Sequence, residues 1–574
     1  MKKSDDAVVT LVFFTGVSSV VSQLLLIREF LAQFSGNEFV IALIFFNWLV
    51  LTGLGTLVAT YGAGLNRSRV SADTLTISSY FLSCFPVVQI LFLRYLKSVF
   101  FIHGTSHGFY PVMGFSFALM APYCIVMGFV LPYSLFLLRQ YYPPKSGTFV
   151  YLVDGMGDVT GGALFSFVLI FFFTPCGSLI LSGMLLYLGT IYFSRVCKGS
   201  PCVTLMVPAV FATGFFLEGP SLEPQEGTLV DLKESLYGRI AVHEEQDQFT
   251  LFADGVPMVS SSHTALAREI VHYAMCQIPV SDDVLLLSGE AGIMAEIFKY
   301  HAKRIRYIEL DPDVSRALIN YGMITPIPGM IIINEDARKW LSRTDEIFHA
   351  VLMNMPEPDT FQANRFYTDE FFHLVHARMA DTGIFGFHMD GYDAYITDAQ
   401  LAKVSVIHAT LKNHFPHVAL IPSDNLFFLC RNYPIDMDIP KCLADKGISA
   451  PYLTNTYYGN VSRMKTDMLV QIIDHTAPIN QDQAPRLIPI VYGTWFEKFN
   501  TSPLVFALVI ACLCVFYLFS VSRGQYVLYT TGVVAMGSEI LIIFLYQILW
   551  LHLFQDRHDR YAVSGRPSAW RLFR

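Results

Sequence analysis

The stretch Val284-Leu-Leu-Leu-Ser-Gly-Glu-Ala-Gly292 decides the fold of the region around it. Its apolar run predicts a buried strand, and the small residues that follow allow a tight turn before a helix. Apolar strands alternate with helical stretches from here on, at 284–288, 305–310, 330–333, 350–353, 384–388 and 418–421. This alternation predicts a doubly wound, mostly parallel α/β sheet. Short β-rich pieces between residues 238 and 259 predict a small β-rich subdomain before it.

The turn after the first strand contains two glycines and an acid, Gly289, Glu290 and Gly292. Small residues let a ligand approach the backbone closely, and the N-terminus of the next helix offers free N–H groups. Glu309 ends the second strand, where an acid can accept from both hydroxyls of a ribose. The alternative for this second strand end is structural, because Asp311-Pro312 fits the start of a capped helix.

The third and fourth strands also end in polar residues. Asp336, with Ala337 beside it, follows the third strand and could accept from an adenine amino group. Asn354 and Glu357 follow the fourth strand. Because ligands bind outside the carboxyl ends of the strands in such sheets, these four ends together predict a nucleoside-binding site.

Two regions are nearly free of charge, although 15% of the 574 residues are charged overall. A membrane-spanning helix needs about 20 largely apolar residues. Eight runs qualify: 7–27, 38–61, 76–96, 110–138, 148–173, 177–194, 503–521 and 526–551. A further run, 202–217, is shorter and contains Pro208, so it is marginal.

The sequence therefore predicts a polytopic α-helical membrane protein with an inserted α/β domain. Its parts are a region of six or seven helices at 1–220, the α/β domain at 225–435, a connector with an amphipathic lead at 436–502, and two helices at 503–553. The lipid bilayer is thus a predicted partner.

Basic residues on alternate connections orient the helices. They are Lys2 and Lys3, Arg67 and Arg69, Arg139 and Lys145, and Arg195 and Lys198. This pattern places the N-terminus of a multi-pass protein in the cytoplasm. The side of the α/β domain stays open: it lies on the far side if 202–217 spans the membrane, and in the cytoplasm if it does not.

Composition excludes several other classes. The net charge is −8 and no basic stripe with interleaved aromatic residues occurs, so nucleic acid is not an expected partner. The ten cysteines include no Cys-x-x-Cys pair, and no metal site is predicted. His263, His272 and His388 lack metal-ligand spacing and are expected to be structural. A homodimer is left open.

Two acids occur inside the fifth apolar run, Asp154 and Asp158, four residues apart on one helix face. Carboxylates within a membrane are often functional, whereas acids near a helix start complement its dipole, and both interpretations stay open. Glycines at 155, 157, 161 and 162 predict close packing of this helix against a neighbour.

The first and the last apolar runs contain an internal repeat. Thr15-Gly-Val-Ser-Ser-Val-Val-Ser-Gln-Leu-Leu-Leu-Ile resembles Thr531-Gly-Val-Val-Ala-Met-Gly-Ser-Glu-Ile-Leu-Ile-Ile without a gap. After the second copy the chain turns polar, and a shifted reading of residues 549–571 is compatible with a glycine-bearing apolar helix. We therefore expect that the tail at 554–574 is a frameshift product, which resequencing of the 3′ end of the gene would test.

Several motifs resemble the spermidine/spermine synthase (aminopropyltransferase) family. They are Tyr237-Gly-Arg-Ile, Asp254-Gly-Val, the glycine loop, Tyr307-Ile-Glu-Leu-Asp-Pro and Glu335-Asp-Ala-Arg. More similar to its membrane-fused bacterial branch are Glu269-Ile-Val-His, Pro356-Glu-Pro, Asn364-Arg-Phe-Tyr-Thr and Phe415-Pro-His-Val. The resemblance reaches to about residue 550, and it implies a methyltransferase-like Rossmann fold in a protein of the bacterial inner membrane.

The resemblance implies transfer of an aminopropyl group from decarboxylated S-adenosylmethionine to an amine acceptor, with release of methylthioadenosine. By position, Glu290 would bind the amine of the donor, Glu309 its ribose and Asp336 its adenine. Asn354 stands where the family has the aspartate that accepts a proton from the attacking amine. Glu357 would be a second amine-binding acid.

Three features depart from the pattern of the family. The glycine loop begins Leu287-Ser288 rather than Gly-Gly, which narrows the room for the donor. Asn354 cannot accept the proton of an ammonium group, which leaves Glu357 or a water as the base. Ala267 and Arg268 replace a Tyr-Gln pair of the acceptor pocket, and an inward Arg268 would repel a cationic polyamine.

The leading hypothesis is a membrane-bound aminopropyltransferase. One alternative is a methyltransferase-like or catalytically silent domain that binds S-adenosylmethionine or a related nucleoside and regulates the membrane part. The other is a transporter whose soluble domain is only structural.

Overall fold

The computed structural model describes residues 2–542 apart from 35–37, 66–70, 102–107, 142–146, 198, 200–202, 224–226, 236, 263, 290–291, 325, 393–395, 462, 521–525, 528 and 540. The chain divides into two compact units. The first comprises Met1–Glu234, Gly238–Glu245 and Phe252–Val256, and the second comprises Ser235–Tyr237, Gln246–Leu251 and Pro257–Arg574. The tail at 554–574, for which a frameshift is predicted, lies outside the described residues.

Helices make up most of the first unit. In chain order they are α1 (Lys2–Gln33), α2 (Glu38–Leu65), α3 (Ala72–Phe100), α4 (Phe109–Tyr141), α5 (Gly147–Leu164), α6 (Ile170–Phe172), α7 (Pro175–Cys197) and α8 (Met206–Leu217). A π-helical turn at Phe165–Leu169 joins α5 to α6, and a short 3₁₀ turn at Pro220–Leu222 follows α8.

Six of the described helices are long and apolar enough to cross a membrane, as the first six runs predict. The marginal run forms α8, whose 12 residues are too short to span a bilayer alone. Near the other end of the chain, Leu487–Lys498 and Pro503–Phe519 form a pair bent by 103°, which gives a seventh candidate if the pair counts as one span. The run 526–551 lies partly outside the described residues.

Glycines bring α1 and α5 into direct backbone contact. A Cβ atom built on Gly157 would lie 2.3 Å from the carbonyl oxygen of Phe13, and one on Gly161 would lie 2.5 Å from that of Val17. From α1, a Cβ on Gly16 would lie 2.6 Å from the carbonyl oxygen of Asp154. The predicted close packing of α5 is therefore confirmed at Gly157 and Gly161, where no side chain fits, and is wrong for Gly155 and Gly162, where a Cβ atom would have room.

The replacement Gly157→Ala is expected to destabilise the protein by roughly 1–3 kcal/mol, because the new methyl group overlaps the α1 backbone. Gly155→Ala is the matched control: nothing lies within 4 Å of a Cβ there, and alanine favours a helix. Thermal unfolding in detergent measures both. Equal melting temperatures for the two variants would contradict the packing argument.

A buried ion cluster joins α1 and α3 to a strand of the same unit. The carboxylate of Glu29 is 1% exposed and accepts from Arg94 Nε at 2.7 Å and Nη2 at 3.0 Å. Arg239 donates to the same two oxygens at 2.9 and 2.7 Å. Since a buried charge without a partner is strongly destabilising, both arginines are needed where they stand. The ion pairs raise the pKa of Arg239 above its usual value, although burial opposes this.

Four short strands follow the helices. They are β1 (Thr228–Glu234), β2 (Arg239–Glu245), β3 (Gln248–Ala253) and β4 (Val256–Ser260), in a sheet of order β1-β2-β3-β4. Three of them agree with the predicted β-rich pieces. The chain then enters a seven-stranded sheet.

The strands of this sheet are β5 (Asp283–Leu287), β6 (Arg304–Ile308), β7 (Met330–Ile333), β8 (Phe348–Met353), β9 (Met379–Asp390), β10 (His417–Pro422) and β11 (Asn425–Arg431). Their order is β10-β11-β9-β8-β5-β6-β7. Strands β5 to β9 run parallel, and β11 pairs antiparallel with both β9 and β10. The predicted doubly wound, mostly parallel sheet is confirmed, while β11 is an addition that the sequence pattern did not reveal.

Further helices follow β4 in the chain, and several of them connect or cover these strands. They are α9 (Thr264–Met275), α10 (Ile293–Phe298), α11 (Pro312–Asn320), α12 (Ala337–Arg343), α13 (Phe361–Asn364), α14 (Asp369–Ala377), α15 (Asp398–Lys412), α16 (Ile439–Asp445), α17 (Pro451–Asn460), α18 (Arg463–Ile472), α19 (Leu487–Lys498) and α20 (Pro503–Ser520). The core of one face contains Phe371, Phe372, Phe385, Phe387 and Phe428, all 0–1% exposed. This packing fixes the strand ends, which carry the candidate site.

Candidate functional site

The glycine loop after β5 has an unusual backbone. Ser288, Gly289 and Gly292 have φ angles of 58°, 63° and 83°, a region that only glycine adopts without strain. A Cβ atom on Gly289 would lie 2.3 Å from the carbonyl oxygen of Asn354, so only glycine fits. Glu290 lies outside the described residues, and its predicted role stays a prediction.

Glu309 is buried directly beside this loop. Its carboxylate is 4% exposed and accepts from Ser288 Oγ at 3.1 Å and from the Tyr307 hydroxyl at 3.2 Å. The backbone N–H of Asp311 donates to the other oxygen at 3.4 Å. Burial raises the pKa of Glu309, and these three donors oppose the increase. The carboxylate is thus oriented at the end of β6, where the sequence places a ribose-binding acid.

The sequence also allowed an acid at the end of the second strand to cap the next helix, and the structure contains this cap on Asp311. Asp311 caps α11, because its side chain accepts from the backbone N–H of Asp313 at 2.8 Å. Glu309 takes no part in this cap.

Asp336 is 1% exposed and caps α12, of which Ala337 is the first residue. Its Oδ1 accepts from the backbone N–H of Lys339 at 2.9 Å, and its Oδ2 accepts from the guanidinium of Arg365. The structure therefore gives Asp336 a cap and an ion pair, in addition to the adenine contact that the sequence predicts. Nothing in the strand-end pattern pointed to Arg365.

Asn354 contacts the glycine loop and a histidine. Its Nδ2 donates to the carbonyl oxygen of Gly289, and its backbone N–H donates to that of Leu287 at 3.0 Å. Its Oδ1 lies 2.7 Å from His388 Nε2, which donates to it. The amide of Asn354 is thus fixed on both sides, at the point where the ends of β5, β8 and β9 meet.

His388 differs from the structural histidine that the sequence predicts. Its Nδ1 is buried and has no hydrogen-bond partner among the described residues. Burial lowers the pKa of His388 to about 4, so the ring is neutral at pH 7. Among the described residues its one hydrogen-bond partner is Asn354, a candidate site residue. His272 does fit the structural prediction, since its nitrogens lie 2.8 Å from the Tyr300 hydroxyl and 2.9 Å from Glu296.

Glu357, the candidate second acid, is occupied on both oxygens. Oε1 accepts from the backbone N–H of Asp390 at 2.8 Å, and Oε2 accepts from Lys403 Nζ at 2.7 Å. Burial raises the pKa of Glu357 above its usual value, and the ammonium of Lys403 offsets only part of this increase. As a base, this carboxylate would have to give up the contact with Lys403.

Arg268 does not present an unpaired charge. Its Nε lies 3.6 Å from the carboxylate of Glu296, and its guanidinium lies 5.7 Å above the ring of Tyr452. Burial alone would raise the pKa of Glu296, but hydrogen bonds from His272 and Lys299 outweigh it and hold the pKa at about 2. Glu296 is therefore an anion at neutral pH. Its charge weakens the predicted repulsion between Arg268 and a cationic acceptor.

His388 gives a pH-dependent prediction for stability. Its pKa is about 4 in the fold and about 6.5 when unfolded, so its neutral form stabilises the fold above pH 6.5, and this contribution is lost as the pH falls towards 4. When the pH falls from about 7 to 5, the free energy of unfolding should decrease in the wild type. In His388→Gln we expect this decrease to be smaller by on the order of 2 kcal/mol. Unfolding at both pH values measures this, with His417→Gln as the control. An unchanged loss in His388→Gln would refute it.

Three contacts at the site were missed by the sequence reasoning, namely Arg365 with Asp336, Lys403 with Glu357 and His388 with Asn354. The two members of each pair lie 29 to 46 residues apart in the chain. Only the motif Asn364-Arg-Phe-Tyr-Thr offered a signal, since it contains Arg365.

A mostly parallel sheet of this order, with a glycine loop and buried acids at its strand ends, is a Rossmann-like α/β fold. Residues 264–423 match the family model described as "Spermine/spermidine synthase domain". This part of the chain is therefore a spermine/spermidine synthase domain.

Curated relatives agree with this assignment. The chain is 30% identical over 162 residues to a polyamine aminopropyltransferase of Leptospira interrogans, covering 26% of this chain and 32% of that protein. It is 27% identical over 280 residues to a polyamine aminopropyltransferase of Oceanobacillus iheyensis, covering 46% and 54%. The chain thus spans between a third and just over half of the length of these relatives.

Among solved structures, a spermidine synthase in complex with the transition state analogue AdoDATO is 15% identical, with a TM-score of 0.37. The match covers 43% of this chain and 88% of that one. The fold assignment for this chain rests on its own strand order and pairing.

Proposed function

We propose that the protein is a membrane-bound aminopropyltransferase that uses decarboxylated S-adenosylmethionine as donor and an amine as acceptor. The observation that carries the proposal is the double contact of the glycine loop. Ser288 hydrogen-bonds to Glu309, the candidate ribose ligand, and Gly289 accepts from Asn354 at the candidate transfer position. One loop therefore connects the place of the nucleoside with the place of the reaction.

In the proposed reaction, the lone pair of the acceptor nitrogen forms a bond to the carbon next to the sulfonium of the donor. The C–S bond breaks, and its electron pair stays on sulfur as the thioether of methylthioadenosine. One proton must leave the nitrogen, and Asn354 cannot accept it. Glu357 or a water takes this proton in our proposal, and Asn354 Oδ1 orients the N–H of the amine. Glu309 and Asp336 bind the ribose and the adenine.

We further propose that the six long apolar helices cross the bacterial inner membrane. With the N-terminus in the cytoplasm, an even number of spans returns the chain to the cytoplasm before the α/β domain, since α8 is too short to add a seventh. Adenosyl donors are made in the cytoplasm, so this topology gives the domain access to them. A reporter that is active only in the cytoplasm, fused after residue 446, is expected to be active; a silent reporter would contradict the topology.

The test of the activity is amine-dependent release of methylthioadenosine. Purified full-length protein is incubated with decarboxylated S-adenosylmethionine and a panel of mono-, di- and triamines, and the product is followed by mass spectrometry. Release that requires both an amine and an intact Glu309 supports the transferase and identifies its acceptor. No release from a protein whose melting temperature still rises with the donor would replace the proposal by a catalytically silent nucleoside-binding domain.

A further inference from the structure

Arg365 is a buried cation beside the candidate adenine ligand. Its side chain is 9% exposed and that of Asp336 is 2% exposed. Nη2 of Arg365 donates to Oδ2 of Asp336, while the backbone N–H of Lys339 occupies Oδ1. The two charges therefore form one rigid unit at the end of β7.

The rest of the guanidinium makes no hydrogen bond within the described part of the chain. Nε and Nη1 of Arg365 are both buried and have no partner there. An unmade hydrogen bond of a buried charged group is costly, and such groups in native proteins call for an explanation. Burial also lowers the pKa of Arg365 to about 10.

The ion pair with Asp336 keeps the guanidinium of Arg365 beside this carboxylate, and hydrogen bonds fix the backbone of Arg365 as well. Its carbonyl oxygen accepts from Arg338 Nη1 at 3.0 Å and from Thr368 Oγ1 at 3.3 Å. Arg338 is in turn paired with the carboxylate of Asp482. The unpartnered donors of Arg365 are thus kept next to Asp336.

A carboxylate oxygen next to a free N–H group is complementary to one edge of a purine. Adenine presents its amino group, a donor, beside ring nitrogens that accept. Guanine carries an oxygen in place of that amino group and would meet Asp336 with an acceptor. Asp336 therefore favours adenine, and a donor from Arg365 adds to this preference at N1, which carries a hydrogen in guanine.

We propose that Arg365 is a further nucleoside-binding residue, which donates from Nε or Nη1 to a ring nitrogen of the adenine whose amino group Asp336 accepts. The inference rests on the proposed adenosyl donor and adds a residue and a basis for base specificity to its site. It assigns a ligand atom as acceptor to one of the two buried donors that are otherwise unsatisfied.

The experiment measures binding of methylthioadenosine and its 1-deaza, 3-deaza and 7-deaza analogues to full-length protein by calorimetry. Arg365→Gln is expected to weaken binding of methylthioadenosine roughly 10- to 100-fold, as loss of a charged hydrogen bond does. For one deaza analogue, which lacks the accepting nitrogen, the same substitution is expected to change affinity less than about threefold. Arg306→Gln is the control, because Arg306 is paired with Glu346 near the start of β6 and should not affect binding.

An equal loss of affinity for methylthioadenosine and all three analogues would overturn the inference, because Arg365 would then act only through Asp336 or through the fold. If Arg365→Gln fails to unfold cooperatively, Arg365→Lys replaces it: the charge beside Asp336 is retained, and the analogue-specific loss is still expected. Wild-type protein that does not bind methylthioadenosine would also overturn the inference. The release assay tests the proposed transferase activity separately. Arg365 can recognise the base in a protein that does not transfer an aminopropyl group, and transfer can occur without base recognition by Arg365.

Discussion

Replacement of Glu309 by alanine is expected to weaken methylthioadenosine binding by roughly 10² to 10⁴, because two hydrogen bonds from ribose hydroxyls to a carboxylate are lost together. The buried donors of Ser288 and Tyr307 would in addition lose their acceptor. Amine-dependent release of methylthioadenosine should fall to background at donor concentrations that saturate the wild type. Calorimetry and the release assay measure the two effects on the same preparation.

The matched control is Glu346→Ala. Glu346 is also a carboxylate, but it is paired with Arg306 at 3.1 Å, is one-third exposed and follows α12 rather than β6. Its removal should leave binding within about twofold, as expected for a surface ion pair. If Glu309→Ala bound the nucleoside as tightly as Glu346→Ala does, Glu309 would not be a ribose ligand and the proposed site would be wrong.

Asn354→Asp is expected to increase amine-dependent transfer by roughly 10² or more, because a positioned carboxylate supplies the proton acceptor that the amide lacks. The gain should be largest for aliphatic amines with pKa values near 10, which are almost fully protonated at neutral pH. The new carboxylate keeps an acceptor for His388 Nε2, although it loses the contact with Gly289. The ratio of release rates for the variant and the wild type, across the amine panel, measures the effect.

The variant Asn354→Ala is the control for this prediction. It shows how much of the change in transfer rate comes from losing the amide rather than from gaining a carboxylate. Both variants remove the hydrogen bond to Gly289, but only Asn354→Asp adds a base. If Asn354→Asp is no faster than Asn354→Ala, the proton leaves by another route, through Glu357 or a water, and the amide is not what limits the reaction.

The positions of the strand ends could be predicted because they follow from local patterns. Apolar runs of four to six residues mark strands that are buried on both faces, and polar residues directly after them fall at the carboxyl edge of a parallel sheet. Glu309, Asp336 and Asn354 lie at the ends of β6, β7 and β8 for this reason. Asp311 caps its helix because an acid before proline suits that position.

The partners of these residues could not be predicted, because they come from distant elements. Lys403 reaches Glu357 from α15, and Arg365 reaches Asp336 from the end of α13. Charged residues usually lie on the surface, so a sequence gives no sign that a particular lysine or arginine is buried against a site. The strand β11 escaped the pattern because its apolar run follows β10 after a two-residue turn.

The ion cluster at Glu29 also has a consequence for biosynthesis. Arg94 is 65 residues and Arg239 is 210 residues further along the chain, so the ribosome makes the two partners of this carboxylate at widely separated times. Helix α1 is therefore made with its acid first uncompensated, then half compensated, until β2 has been translated. A chain that stops before residue 239 keeps the acid of Glu29 with one cation fewer, so the complete ion cluster depends on a part of the chain that is made after all eight described helices of the first unit.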